Sequence, residues 1–308
     1  MKTAFISHYD CKLHDMGEQH PESPSRLRAI RSRITHSGLI LQLDQIQAEM
    51  VNKQHLLRVH PATYIDQLER LQPKKGRVFA DPDTAIMAHT LRAAHLASGA
   101  AIQAIDLVLT NQVDNAFCSI RPPGHHAERN TTMGFCFFNN IAVAAAHAMT
   151  FHNLERIAIV DFDVHQCNGT IDIFKDDPRV LVCSSFQHPF YPYSHFDIDR
   201  DNIINTPLAA GTKGALFRTK TEKDWLNALQ KHKPQLILVS AGFDSHKMDP
   251  IGELELDESD FAWVTSMITE VANHYANGRL ISLLEGGYNL TALAGGVESH
   301  LKVLAGLN

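Results

Sequence analysis

The chain has 308 residues, with 28 basic against 34 acidic side chains and a formal net charge of −6. A hydrophobic share of 44% and a charged share of 20% are ordinary for a globular chain, which excludes wholesale disorder, a collagen-like repeat and an extended coiled coil. Mild acidity, with no run of Lys and Arg, argues against a protein that grips nucleic acid by neutralising phosphates.

The N-terminal stretch MKTAFISHYD is interrupted early by His8 and Asp10, so it does not read as a secretory signal. No apolar run approaches the ~20 residues of a membrane helix. The five cysteines (Cys11, Cys118, Cys136, Cys167, Cys183) are odd in number, widely spaced and without a C-x-x-C pair, as expected of reduced thiols in a cytoplasmic protein that does not engage a membrane. In chain order the pattern predicts strands at Ala4–Ser7, Asn115–Ile120, Arg156–Asp161, Val180–Ser184, Gln235–Ala241 and Arg279–Leu284. Helices are expected at Ser25–Ser37, Ala88–Leu109, Asn139–His152, Glu222–Lys231, Asp257–Ala276 and Thr291–Leu304. Runs such as RIAIVDFD, QLILVSAG and RLISLLEG are nearly continuously apolar, as in strands buried on both faces of a parallel sheet. The alternation points to one α/β domain over residues 1–308, a doubly wound, mostly parallel sheet with helices on both faces.

Ligands of such sheets bind beyond the carboxyl ends of the strands. Four predicted strands run there into chemically capable residues: RPPGHH with His125 and His126, Asp161-Phe-Asp163-Val-His165, Ala-Gly-Phe-Asp244, and Glu285-Gly-Gly-Tyr288. The count of 19 histidines also directs attention to metal or proton-transfer chemistry. On an extended backbone Asp161, Asp163 and His165 point the same way. Alone, the two aspartates equally fit caps of a following helical turn. Asp244 and the tandem histidines tip the balance towards a metal, and two carboxylates with one imidazole suit Zn²⁺ with a position left for water. His125 and His126, set by Pro122 and Pro123, fit general acid–base work, with Asp161 and Asn168 available to fix their tautomers and to leave one ring more easily protonated. Tyr288, behind two glycines, reads either as a buried tyrosine or as a donor to a developing oxyanion.

In order and spacing, HPESPSRL, RPPGHHA, GFCFFNN, IVDFDVH, NGT, NIINTPLAAGT, SAGFDSH and LLEGGYN resemble the zinc-dependent histone deacetylase superfamily, most closely bacterial class II-type histone deacetylase-like amidohydrolases. The resemblance covers essentially the whole chain. It implies zinc on Asp163, His165 and Asp244, His126 as general base and acid, His125 as its electrostatic companion, Asp161 ordering His125, Asn168 beside His126, and Tyr288 on the acyl oxygen. It implies aromatic tunnel walls at Phe135 and Tyr191, substrate contacts at Gly134, Gly286 and a rim aspartate at Asp81, and a structural K⁺ near Asp161, Asp163, His165 and Ser184. Relatives that prefer acetylpolyamines carry a rim glutamate where this chain has Ile251, so the implied substrate is an acyl-lysine, with an acetylpolyamine or another small amide as the alternative. The chain departs from the family at Gln166-Cys167 and at Tyr193-Ser194-His195. An arginase-like two-metal hydrolase would need D-x-H-x-D where this chain reads D-x-D-x-H. A silent zinc scaffold would need neither the histidines nor Tyr288.

Overall fold

The computed structural model describes every residue up to Leu307. Its strands are β1 (Thr3–Ser7), β2 (Leu43–Gln47), β3 (Arg77–Phe79), β4 (Ala85–Met87), β5 (Asn115–Cys118), β6 (Ile157–Asp161), β7 (Val180–Gln187), β8 (Ile203–Leu208), β9 (Leu236–Ala241) and β10 (Leu280–Leu284). Eight of them form one sheet in the order β2-β1-β5-β10-β9-β6-β7-β8, and β3 pairs with β4 in a separate hairpin. Every pairing in the large sheet is parallel, where the sequence pattern promised a mostly parallel one. The helices are α1 (Ser25–His36), α2 (Lys53–Leu56), α3 (Ala62–Leu71), α4 (Thr90–Leu109), α5 (Asn140–Phe151), α6 (Asn168–Phe174), α7 (Gly214–His232), α8 (Glu258–Tyr275) and α9 (Leu290–Leu304). Among the described residues, no helix is long and apolar enough to cross a membrane.

The strand pleat sends alternate residues into two cores. Ile157 and Ile159 of β6 join the layer under α4 and α5, while Ala158 and Val160 join the layer under α1, α8 and α9. Both faces are therefore covered, which is why these strands read as unbroken apolar runs. The edge strands β2 and β8 are only partly buried, with polar residues such as Asp44, Gln45 and Asn205, and the apolar pattern does not reveal them. Helix α7 begins at Gly214, well before the expected Glu222, because Phe217, Thr221, Trp225 and Leu229 form a single buried stripe. Asp257 opens α8 with a capping box completed by Asp260.

Beneath the carboxyl end of the sheet lies a fully buried ionic cluster. The Glu22 carboxylate accepts from Arg121 Nη2 at 2.6 Å and from Arg26 Nη1 at 3.1 Å. Arg121 also donates to the carbonyls of Cys11 and His14, both at 3.0 Å, and Arg26 donates to the carbonyls of Gly287, at 2.7 Å, and Glu285. Burial opposes the charge on Glu22, but the Arg121 and Arg26 guanidiniums override it and hold the carboxyl down at about 2. His14, 3.6 Å from Glu22, is pushed by burial down to about 4.

Both shifts depress a folded-state pKa, so the stability each lends is present above the unfolded value and is lost as pH falls. For His14 the loss runs from 6.5 down to about 4, and for Glu22 from 4.5 down to about 2. Read as a difference between two proteins, in which the other titrating groups cancel, the wild-type urea midpoint is expected to drop relative to that of His14→Gln as pH is lowered from 7.5 to 5. A difference between the two midpoints that stays constant over this range would contradict the assignment.

Candidate active site

The four strands singled out by their polar termini are consecutive in the sheet, β5-β10-β9-β6. Their carboxyl ends bring the loops holding His125–His126, Asp163–His165, Asp244 and Tyr288 to one place. Strand β6 ends at Asp161, so the expected extended run through His165 is replaced by a bend. Two side-chain turns shape it: Asp161 Oδ1 accepts from Asp163 N at 3.0 Å, and Asp163 Oδ1 accepts from His165 N at 2.9 Å. The three residues consequently diverge in task. Asp161 faces His125, with Oδ2 2.9 Å from Nδ1, whereas Asp163 and His165 turn towards Asp244.

His165 Nδ1 lies 2.9 Å from Asp163 Oδ1 and 3.3 Å from Asp244 Oδ2. Donor atoms from the three side chains all lie within 4.8 Å of one another, and all three residues are buried. Burial disfavours charge on His165, but the two carboxylates overcome it and raise the imidazole to about 9; the same field is available to a cation. Burial, then Asp163, raises Asp244 to about 7. Asp244 Oδ2 is buried without a hydrogen-bond partner, an expense that a ligated ion would remove. The backbone closes tightly on this pair: a Cβ on Gly286 would stand 2.0 Å from Asp244 Oδ2, and one on Gly242 2.1 Å from Asp163 Oδ2. These donors fit a zinc ion. Gly286, which the resemblance puts at the substrate, donates its N–H to Asp163 Oδ2 at 2.8 Å.

The surroundings of the tandem histidines shift them in opposite directions. Burial works against a charge on His125, but Asp163 and Asp161 raise it to about 10. His126 is driven well below its ordinary value by burial, then by His125 and His165. Asn168 donates to Glu128 Oε1 at 2.9 Å, so its carbonyl oxygen, 2.7 Å from His126 Nδ1, accepts that ring's proton. Nε2 of His126 is left with a lone pair.

Other anchors carry no local sequence signal. Glu285 accepts from Gly124 N at 2.7 Å and Ser240 Oγ at 3.1 Å, tying the histidine loop to β9 and β10. Asp249 accepts from Tyr288 N at 2.7 Å, Asn289 N at 3.1 Å and Ile251 N at 3.0 Å. The Tyr288 hydroxyl is pushed well above its ordinary value by burial and then by Asp244, so it stays protonated at neutral pH.

Phe135 meets Tyr288 edge-on at 6.1 Å, and Tyr191 meets both His126 and His165 edge-on, at 5.3 and 5.9 Å. Gly134 has a positive φ of 55°, and a Cβ there would sit 2.2 Å from His126 Cδ2. Asp81 is committed to its own turn, accepting from Asp83 N at 2.8 Å and Thr84 N at 2.7 Å, and Thr84 Oγ1 in turn accepts from Phe135 N at 3.0 Å. Its carboxylate thus holds the loop behind Phe135. Gln166 donates to the carbonyl of His195 at 3.1 Å, so the chain's two departures from the family pattern touch each other.

Residues 20–304 match the family model for the histone deacetylase domain. The chain belongs to the histone deacetylase family. The histone deacetylase-like amidohydrolase of Pseudomonas aeruginosa is 37% identical over 88% of this chain and 73% of its own length. Polyamine deacetylase HDAC10 of Homo sapiens is 35% identical over 99% of this chain, which spans 48% of that protein. The crystal structure of the HDA15 HD domain matches with a TM-score of 0.93 at 30% identity, over 99% of this chain and 90% of that one. As a histone deacetylase family member the chain is a hydrolase of the deacetylase and amidohydrolase class.

In this deacetylase, Asn168→Asp would set a carboxylate against His126 Nδ1 and stabilise the imidazolium. A base works only when neutral, so raising its pKa moves the acidic limb of the kcat/KM profile to higher pH. An unmoved limb in Asn168→Asp would exclude His126 as the group that titrates there.

Proposed function

We propose that this enzyme hydrolyses an N-acyl amide with zinc held by Asp163, His165 and Asp244, releasing a free amine and a carboxylate, and that the whole chain acts as one catalytic domain. The observation that carries the reading is a pair of adjacent imidazoles, His125 against the Asp161 carboxylate and His126 against the Asn168 amide, at the edge of a buried carboxylate–imidazole cluster. When bound, zinc supplies a Lewis acid that polarises the acyl oxygen and acidifies water. His126, with Nδ1 engaged by Asn168, takes the proton of the attacking water on Nε2 and returns it to the leaving nitrogen. Tyr288 donates a hydrogen bond from its hydroxyl to the acyl oxygen as negative charge develops there and keeps its proton. His125, fixed by Asp161, keeps a positive charge beside the reacting atoms and holds His126 neutral. Phe135 and Tyr191 flank the acyl stem, with Gly134 leaving room for His126. A structural K⁺ near Asp161 and Ser184 belongs to the same reading, supported by the buried Ser184 Oγ, which has no hydrogen-bond partner. So does a reducing, cytoplasmic setting, in keeping with five buried cysteines that stand as free thiols.

Tyr288→Phe is expected to retain zinc and fold while losing turnover by about 10²–10³-fold, the usual cost of one oxyanion donor. Zinc analysis and steady-state kinetics on an acetyl-lysine peptide check this. Near wild-type turnover would remove Tyr288 from the reaction.

For the substrate, the reading favours an acyl-lysine over an acetylpolyamine. A polyamine gains from a fixed carboxylate at the mouth, and Ile251 offers only apolar contact. The second reading, an acetylpolyamine, has the human relative's name in its favour. The wild-type enzyme is expected to give a higher kcat/KM for an acetyl-lysine peptide than for N-acetylputrescine, and Ile251→Glu to shift the ratio towards the latter. A wild-type preference for N-acetylputrescine would overturn the first reading.

A further inference from the structure

Two groups of metal-capable side chains bring their donor atoms within 4.8 Å of one another among the described residues, and only one belongs to the catalytic loops. The other joins Asp106, near the C-terminal end of α4, to His147 of α5 and His152, the residue that ends α5. Both imidazoles present Nε2 to the same oxygen, Asp106 Oδ1, at 2.8 Å each. Their rings stand edge-on with centroids 5.7 Å apart, so the two nitrogens and the oxygen converge rather than lie in a row. His147 is buried, and its ring stacks on Phe151 at 4.7 Å, which fixes its direction. The Asp106 side chain is 49% exposed and that of His152 21%, so an ion has a path from solvent and water has room to complete its shell.

We propose that Asp106, His147 and His152 form a second divalent-metal site, suited to zinc, that ties the C-terminal end of α4 to that of α5. Two imidazoles and one carboxylate are a borderline donor set that prefers Zn²⁺ to the hard ions Mg²⁺ and Ca²⁺. The catalytic cluster offers an internal comparison, because there too an imidazole nitrogen approaches carboxylate oxygens at 2.9 and 3.3 Å. The new site is the more open of the two. His147 Nδ1 is buried without a partner, so this ligand lacks the hydrogen bond that normally strengthens a metal-bound imidazole. The second ion is therefore held less tightly than the catalytic one. It is also remote from the chemistry: His152 precedes β6, whose far end carries Asp161. Binding joins two neighbouring helices and leaves the catalytic loops alone.

The test is zinc titration of the full chain after dialysis against a chelator, with stoichiometry read by equilibrium dialysis and thermal unfolding followed in parallel. His152→Ala and Asp106→Ala, both at the exposed side of the cluster, are each expected to bind one equivalent fewer than the wild-type protein. Excess zinc should raise the wild-type Tm further than that of either variant, and zinc-loaded turnover should be unchanged. Asp244→Asn removes the other equivalent, so failure of the catalytic assignment is read separately. If His152→Ala and Asp106→Ala both bind as many equivalents as the wild-type protein, there is no metal site at Asp106.

Discussion

A single buried carboxylate, Glu22, governs how the catalytic loops can sit. It is sealed from solvent and neutralised by two guanidiniums, Arg121 and Arg26, which leave its side on opposite errands. Arg121 opens the segment that carries His125 and His126, while Arg26 holds the carbonyls of Glu285 and Gly287, just before Tyr288. Breaking a buried ion pair by removing one partner costs about 3–5 kcal/mol, so none of these groups can swing away while its partners stay. The loop of His125 and His126 and the loop of Tyr288 are thereby bolted to the same N-terminal segment. Glu285 adds a second bolt from β10 to the backbone of Gly124 and His125.

This rigidity makes the proton arrangement intelligible. Asp161, Asp163, Asp244 and Glu285 crowd one buried volume, and such a group of acids needs compensating cations. His125 supplies one, raised to about 10, and the ion proposed between Asp163, His165 and Asp244 would supply the other. His126 is the one ring in the group facing an amide instead of a carboxylate, and it is the one that burial and its charged neighbours keep neutral. The difference between two adjacent, chemically identical side chains thus lies in what surrounds them: Asp163 and Asp161 bear on His125, while His126 meets the Asn168 amide and two other imidazoles.

The sequence made the centre of this molecule legible and its periphery obscure, for one physical reason. Strands β5, β6, β9 and β10 are buried on both faces and announce themselves as apolar runs ending in polar residues. Edge strands β2 and β8 meet the core on one face and solvent on the other, which dilutes the signal. The grouping of Asp163, His165 and Asp244 was also readable, although the extended geometry expected through His165 is a bend. Glu22, Arg26, Arg121 and Asp249 were not readable as parts of the site's support. Each acts through partners far away in sequence, such as Glu22 and Arg121. No window of periodicity reports such a pair.

Asp249 links two things usually considered apart. One of its oxygens carries the backbone of Tyr288 and Asn289, and the other carries that of Ile251. The proposed rim residue, Ile251, and the proposed oxyanion donor, Tyr288, hang from one carboxylate. Drift in substrate choice therefore has a narrow road through this loop. Side chains at 251 can vary without breaking these bonds, while an insertion or deletion between 249 and 251 would pull Tyr288 out of line. Diversification of this enzyme, natural or in the laboratory, should run by exchange of side chains on a loop of constant length.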